Sequence, residues 1–192
     1  MSDLRTFNPP LELTTDRLRL RQWQPSDRAP FAQLNADPQV MQFFPQVLDR
    51  AGSDALADRI ERGIAERGWG LWAVELLQGG AFIGFVGLNI PPVNLPIAPG
   101  IEIGWRLALG FWGQGYATEA ARAALRVGFT QLELPKIISF TALENRRSQA
   151  VMERLEMVRD QDTFMHPHVP LGSPLREHCL YRLSAERWHQ DQ

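Results

Sequence analysis

The chain has 192 residues, 44% of them hydrophobic and 22% charged, and a formal net charge of −2. That length suits one domain over residues 1–192 and suffices to bury a full core. With no basic excess, and no apolar run near the ~20 residues that cross a bilayer, composition argues against nucleic-acid and membrane partners.

Cys179 is the only cysteine, which excludes an intramolecular disulfide and a cysteine-based zinc site. Its run Cys179-Leu180-Tyr181 reads as core rather than as a thiol nucleophile. Met1-Ser2-Asp3-Leu4-Arg5 lacks the basic start and apolar run of a signal peptide, so a cytoplasmic location is the expectation.

After a lead-in with Pro9-Pro10, Asp16-Arg17-Leu18-Arg19-Leu20-Arg21 alternates apolar and polar residues, the period of a half-buried strand. Ser26-Asp27 supplies helix-start chemistry, continued at helical spacing by Phe31, Leu34 and Asn35. A second helix is predicted from Ser53 to Arg67, with Leu56, Ile60 and Ile64 on one face. Residues 71–76 and 81–88 read as strands around a Gln78-Gly79-Gly80 hairpin turn. A Pro-rich loop spans Pro91 to Pro99, and Glu102-Ile103-Gly104-Trp105-Arg106-Leu107 is the next strand. An alanine-rich helix follows from Tyr116 to Phe129, then a strand from Lys136 to Leu143, a helix from Ser148 to Leu155 and a last strand from His178 to Leu183. The order defines one mixed α/β domain.

The segment Gly110-Phe111-Trp112-Gly113-Gln114-Gly115 runs from a strand directly into the alanine-rich helix. Glycines let the backbone approach a ligand closely, and the first helical turn offers free N–H groups and a positive dipole end. Together they suit an anionic diphosphate. A P-loop would need Lys and then Ser or Thr after the second glycine, where Tyr116-Ala117 stand. A dinucleotide fold would need a third glycine, where Thr118 stands, and an early position in the chain. Read alone, the glycines fit a ligand cradle or a plain turn.

At this point the sequence resembles the GNAT acetyltransferase superfamily, in particular the branch of ribosomal-protein N-terminal (alanine/serine) acetyltransferases. The resemblance rests on Glu102-Ile103-Gly104-Trp105, on residues 111–120, and on Asn145-Arg146-Arg147-Ser148 with Arg154-Leu155. Thr15 to Leu20 looks like the family's first strand and Leu175 to Leu183 like its last, so the likeness covers roughly residues 12–188. It implies a central mixed, strongly twisted sheet of about six to seven strands flanked by helices, with a splayed parallel strand pair.

The resemblance further implies an N-acetyltransferase that uses acetyl-CoA as cosubstrate and a primary amine as acceptor. The acceptor would be a protein N-terminal α-amine, an amino acid or a small amine. No metal is implied, and a homodimer is compatible with the sequence. Backbone groups near Trp105 and Leu107 would pair with the pantetheine arm. N–H groups across Gly113, Gln114, Gly115, Tyr116, Ala117 and Thr118 would hold the diphosphate, and Asn145 would bond the arm.

Glu102 is the candidate base, with a strand-edge carboxylate as the alternative reading, and Ser148 is the candidate donor to the thiolate, with a helix-start residue as the alternative. Phe44, Trp69 and His166 are the candidates for the acceptor mouth, with His168 and His178 as further histidines near it. Met152 stands where many members carry a tyrosine acid, which opens a second reading as a CoA-binding sensor without turnover.

Overall fold

The computed structural model describes residues 4–97 and 99–190; Met1–Asp3 of the lead-in, Ala98 of the Pro-rich loop and the last two residues lie outside them. The chain forms β1 (Leu13–Thr14), β2 (Leu18–Arg21), a 3₁₀ turn (Pro25–Asp27), α1 (Arg28–Ala36), α2 (Arg50–Arg67), β3 (Leu71–Leu76), β4 (Phe82–Asn89) and β5 (Glu102–Leu107). Then come a 3₁₀ turn (Leu109–Phe111), α3 (Tyr116–Arg126), a π turn (Val127–Gln131), β6 (Lys136–Ala142), α4 (Arg146–Arg154), β7 (Val158–Met165), β8 (Glu177–Ser184) and α5 (Ala185–Gln190).

All eight strands join one mixed sheet in the order β1-β2-β3-β4-β5-β6-β8-β7. Every neighbouring pair is antiparallel except β5 and β6, whose connection crosses over through α3. That parallel pair meets in register only at Glu102 and Ile138, and beyond this point the strands part.

The sheet is packed on both faces. On one, Ala120, Ala121 and Ala124 of α3, all at 0% exposure, sit against Val86, Leu88 and Ile103. Their small side chains let the helix lie close to the sheet. On the other, Phe31 and Leu34 of α1 and Ile60 and Ile64 of α2 pack with Ala73 and Phe85.

Helix α2, strand β7 and Trp69 are among the features that differ from the sequence reading. Helix α2 begins before Ser53, because Asp49 caps it by accepting from Gly52 N at 2.7 Å. Ser53 is instead buried and accepts from Asn35 Nδ2 at 2.9 Å. Strand β7 lies between the helix ending at Leu155 and the last strand, where the sequence marks no element: its side chains are mostly exposed, so no apolar alternation marks it, and it is held by pairing with β8. Trp69 was expected at the acceptor mouth, yet it is fully buried in the α3-side core, with its indole Nε1 donating to Arg5 O at 3.0 Å. Gly68, at φ 78°, ends α2 immediately before it.

Candidate active site

A cavity of about 880 Å³ opens where β5 and β6 part, bounded by the segment after α1, by residues 111–118, by α4 and by the end of β7. Strand parity decides which backbone groups of β5 face this gap. Ala108 N bonds Ile83 O at 2.9 Å across to β4, so Arg106, Gly104 and Glu102 turn their backbone groups the same way. Ile103, Trp105 and Leu107 therefore turn theirs toward β6. Two of these carbonyls are already taken: Ser139 Oγ donates to Ile103 O at 2.9 Å, and Trp112 Nε1 donates to Leu107 O at 2.8 Å. Trp105 N–H and C=O and Leu107 N–H remain directed into the gap.

The cradle lies at the carboxyl end of β5. Gly113 and Gly115 adopt φ 74° and 83°, left-handed values that suit glycine, and Gly115 is the N-cap of α3. The first helical bond runs from Glu119 N to Gly115 O, which leaves the N–H groups of Tyr116, Ala117 and Thr118 without intrahelical acceptors. This is a helix N-terminus facing a cavity, and it fits a diphosphate by hydrogen bonding and by dipole.

The cradle is held from below by a clamp that sequence spacing does not reveal. Glu119 accepts from Thr15 Oγ1 (2.6 Å), Arg17 N (3.0 Å) and Arg17 Nε (2.7 Å), and Arg17 Nη1 donates to Gln114 O at 3.0 Å. Burial works to raise the Glu119 carboxyl, but the bonds from Thr15 and Arg17 outweigh it and hold the group low. Gln114 itself turns its amide to Gly110 O, away from the cavity lining.

Asn145 caps α4, accepting from Ser148 N at 3.2 Å, and its Nδ2 donates to Thr141 Oγ1 and Ser148 Oγ. Its amide is thus committed to holding the start of α4. Ser148 is not the cap but the residue capped; its Oγ accepts from Asn145 and, among the described residues, donates to nothing. Met152, at 1% exposure, lies in the cavity wall with Ser148 and Asn145.

Glu102 lines the cavity where β5 and β6 part. Burial pushes its carboxyl up to about 7, with its cross-strand partner Asn89 acting in the opposite sense. Phe44 and His166 also line the cavity, as do His168 and His178. His166 is brought down to about 4, first by burial and then by His178 and His168 nearby; the rings of His166 and His178 lie 4.8 Å apart. Burial lowers His178 too, against a backbone bond to Arg176 O that acts in the opposite sense. Among the described residues no group of three or more His, Cys, Asp or Glu is placed to hold a metal.

A splayed parallel pair beside a helix-borne anion cradle defines an acyl-CoA-dependent acyltransferase. The GNAT acetyltransferase domain model matches residues 17–158, and the chain belongs to that family. It is 35% identical over 154 residues to the uncharacterized protein YkkB of Bacillus subtilis, covering 79% of this chain and 87% of that one. It is 27% identical over 180 residues to the uncharacterized N-acetyltransferase YnaD of the same organism, covering 93% and 100%. A crystal structure of an acetyltransferase from Agrobacterium tumefaciens superposes with a TM-score of 0.74 at 28% identity, over 93% and 97% of the two chains.

Proposed function

We propose that the chain transfers the acetyl group of acetyl-CoA to a primary amine by direct attack, with Glu102 as general base and Ser148 as donor to the leaving sulfur. The observation that carries this reading is the carboxyl of Glu102, pushed up to about 7, at the point in the cavity where β5 and β6 separate. A base of that strength is about half ionised at neutral pH and takes a proton readily as the amine nitrogen attacks.

The nitrogen–carbon bond forms at the thioester carbonyl while the amine proton passes to Glu102, directly or through water. The tetrahedral adduct then collapses, the carbon–sulfur bond breaks, and the thiolate accepts a hydrogen bond from Ser148 Oγ. The free backbone groups of Trp105 and Leu107 support a pantetheine arm lying in the gap. The N–H groups across Gly113, Gln114, Gly115, Tyr116, Ala117 and Thr118 suit the diphosphate. Asn145, whose Nδ2 donates to Thr141 and Ser148, positions Ser148, and its Oδ1 has a second lone pair for a donor on the arm.

Phe44 and His166 form part of the acceptor mouth. A protein N-terminal α-amine, with pKa near 8, is a closer match to this base than an alkylamine near ~10. The sequence resemblance to the ribosomal-protein branch points the same way.

A thiol-release assay with acetyl-CoA, run against N-terminal peptides, amino acids and small amines, tests the reading. We expect transfer to at least one class. Tight CoA binding by calorimetry with no transfer would favour the sensor that Met152 motivates, and absence of CoA binding would sink both.

A further inference from the structure

Arg21 of this fold is buried and Arg106 half-buried, and the chain treats them oppositely. Arg21, at 3% exposure, is neutralised by Asp27 Oδ1 and Oδ2 at 2.8 and 2.7 Å and by Glu75 Oε2 at 2.6 Å. Arg106 of β5 lines the cavity and makes no ion pair among the described residues. Its Nη1 donates to Asn35 Oδ1 at 2.6 Å, its guanidinium lies 4.1 Å from the Phe44 ring centroid and 5.5 Å from that of Phe85, and its Nε is shut off from solvent without a partner.

Asn35 is itself oriented from behind, since its Nδ2 donates to the buried Ser53. A neutral amide and two ring faces fix the cation's place without cancelling its charge. Burial alone lowers the group, to about 10, so it stays charged at neutral pH. A carboxylate at position 35 would have been the stable structural choice; an amide leaves a positive field at the cavity.

The anion this field awaits is not the diphosphate of the cosubstrate. Strand alternation puts Arg106 on the face opposite Ile103 and Leu107, which pack with α3. Arg106 instead meets Asn35 of α1 and Phe85 of the α1/α2-side cluster. It shares that face with Glu102 and Gly104. Four residues of extended strand set Glu102 and Arg106 about 13 Å apart at Cα.

We propose that Arg106, held by Asn35 and Phe44, binds a carboxylate of the acceptor, so that the substrate is an amine bearing an anionic group several bonds from its nitrogen. The proposal rests on the acetyl-transfer reading above for the amine and on Arg106 for the anion. A bidentate guanidinium–carboxylate pair in a partly dry site is strong enough to rank substrates.

The test uses ω-amino acids of four to eight carbons and short peptides with a free N-terminus and a Glu or Asp side chain, each compared with its carboxamide as acceptor by kcat/KM. In parallel, binding of their N-acetyl forms to CoA-loaded protein is measured by calorimetry, a readout that needs no turnover. We expect the carboxylates to be preferred by about tenfold or more at one chain length. Arg106→Gln should bring the ratio toward one, Arg106→Lys should restore part of it, and Asn35→Asp should abolish it by giving Arg106 an internal counter-ion. Melting temperature and CoA affinity check that each variant is folded. No carboxylate preference in the wild-type protein, by binding or by rate, overturns the proposal whatever the variants do. A fall in CoA affinity in folded Arg106→Gln does so too, since its anion would then be a CoA phosphate. Carboxylate binding without any acetyl transfer would overturn the transfer reading and leave this one standing.

Discussion

At the scale of single residues, Glu102 carries the most consequence. Its folded value near 7 lies above that of a free carboxyl, so between about 4.5 and 7 the folded chain binds a proton that the unfolded chain has released. Stability from this group is therefore present at low pH and is lost as pH rises through 7. Glu102→Gln should raise the melting temperature at pH 8, by the equivalent of about 1–3 kcal/mol, and change little at pH 4. Thermal unfolding at the two pH values reads this directly.

The same variant should lower kcat/KM by about 10²-fold or more near pH 7.5 and lose the rising limb near 7. The deficit should shrink at high pH, where the free amine no longer needs a base. An unchanged pH–rate profile would remove Glu102 from the mechanism. The sequence singled out Glu102 from alternation and resemblance, but its raised carboxyl comes from burial that no local pattern encodes.

At the scale of elements, the β5–cradle–α3 unit depends on both its glycines and its clamp. A Cβ on Gly115 would sit at φ 83° and 3.4 Å from Arg17 Nη2, against the side chain that braces Gln114. Gly115→Ala should cost about 1–2 kcal/mol of local strain. If that strain falls on the cradle, CoA affinity should drop on the order of tenfold, measured by calorimetry, with the melting temperature only slightly lower. An affinity equal to wild type would mean that the cradle tolerates a side chain there. The glycine-rich helix start was legible because its spacing is local, and the family resemblance of residues 111–120 supplied the reading of it as a cradle. The clamp was not: Arg17 and Glu119 are separated by 102 residues and meet only when β2 and α3 pack.

At the scale of the whole molecule, β2 is fastened to the α1 entry and to β3 by the Arg21–Asp27–Glu75 group. Asp27 both neutralises Arg21 and accepts from Gln24 N at 2.8 Å. Asp27→Ala strands part of a buried charge and should cost about 3 kcal/mol or more, a fall in melting temperature of roughly 6–12 °C for a chain of this size. Arg106→Gln, which removes a cation without a counter-ion, should leave the melting temperature level or higher. The two arginines are thus separable by one thermal experiment.

By itself the sequence determined the mixed α/β class and the order of most elements, because periodicity and caps act over a few residues; the cradle and Glu102 stood out only once residues 102–105 and 111–120 were set beside a family they resemble. It misread Trp69 as a mouth residue, since a tryptophan beside a turn reads alike whether its ring points outward or into the core. It passed over β7, an edge strand whose exposed residues carry no apolar rhythm. The tertiary structure alone decided where β5 and β6 part, that Thr15 and Arg17 clamp Glu119 beneath the cradle, and that Arg106 keeps an uncancelled charge at the cavity. Each of these depends on partners far away in the chain, and burial and pairing exist only once the sheet has brought them together.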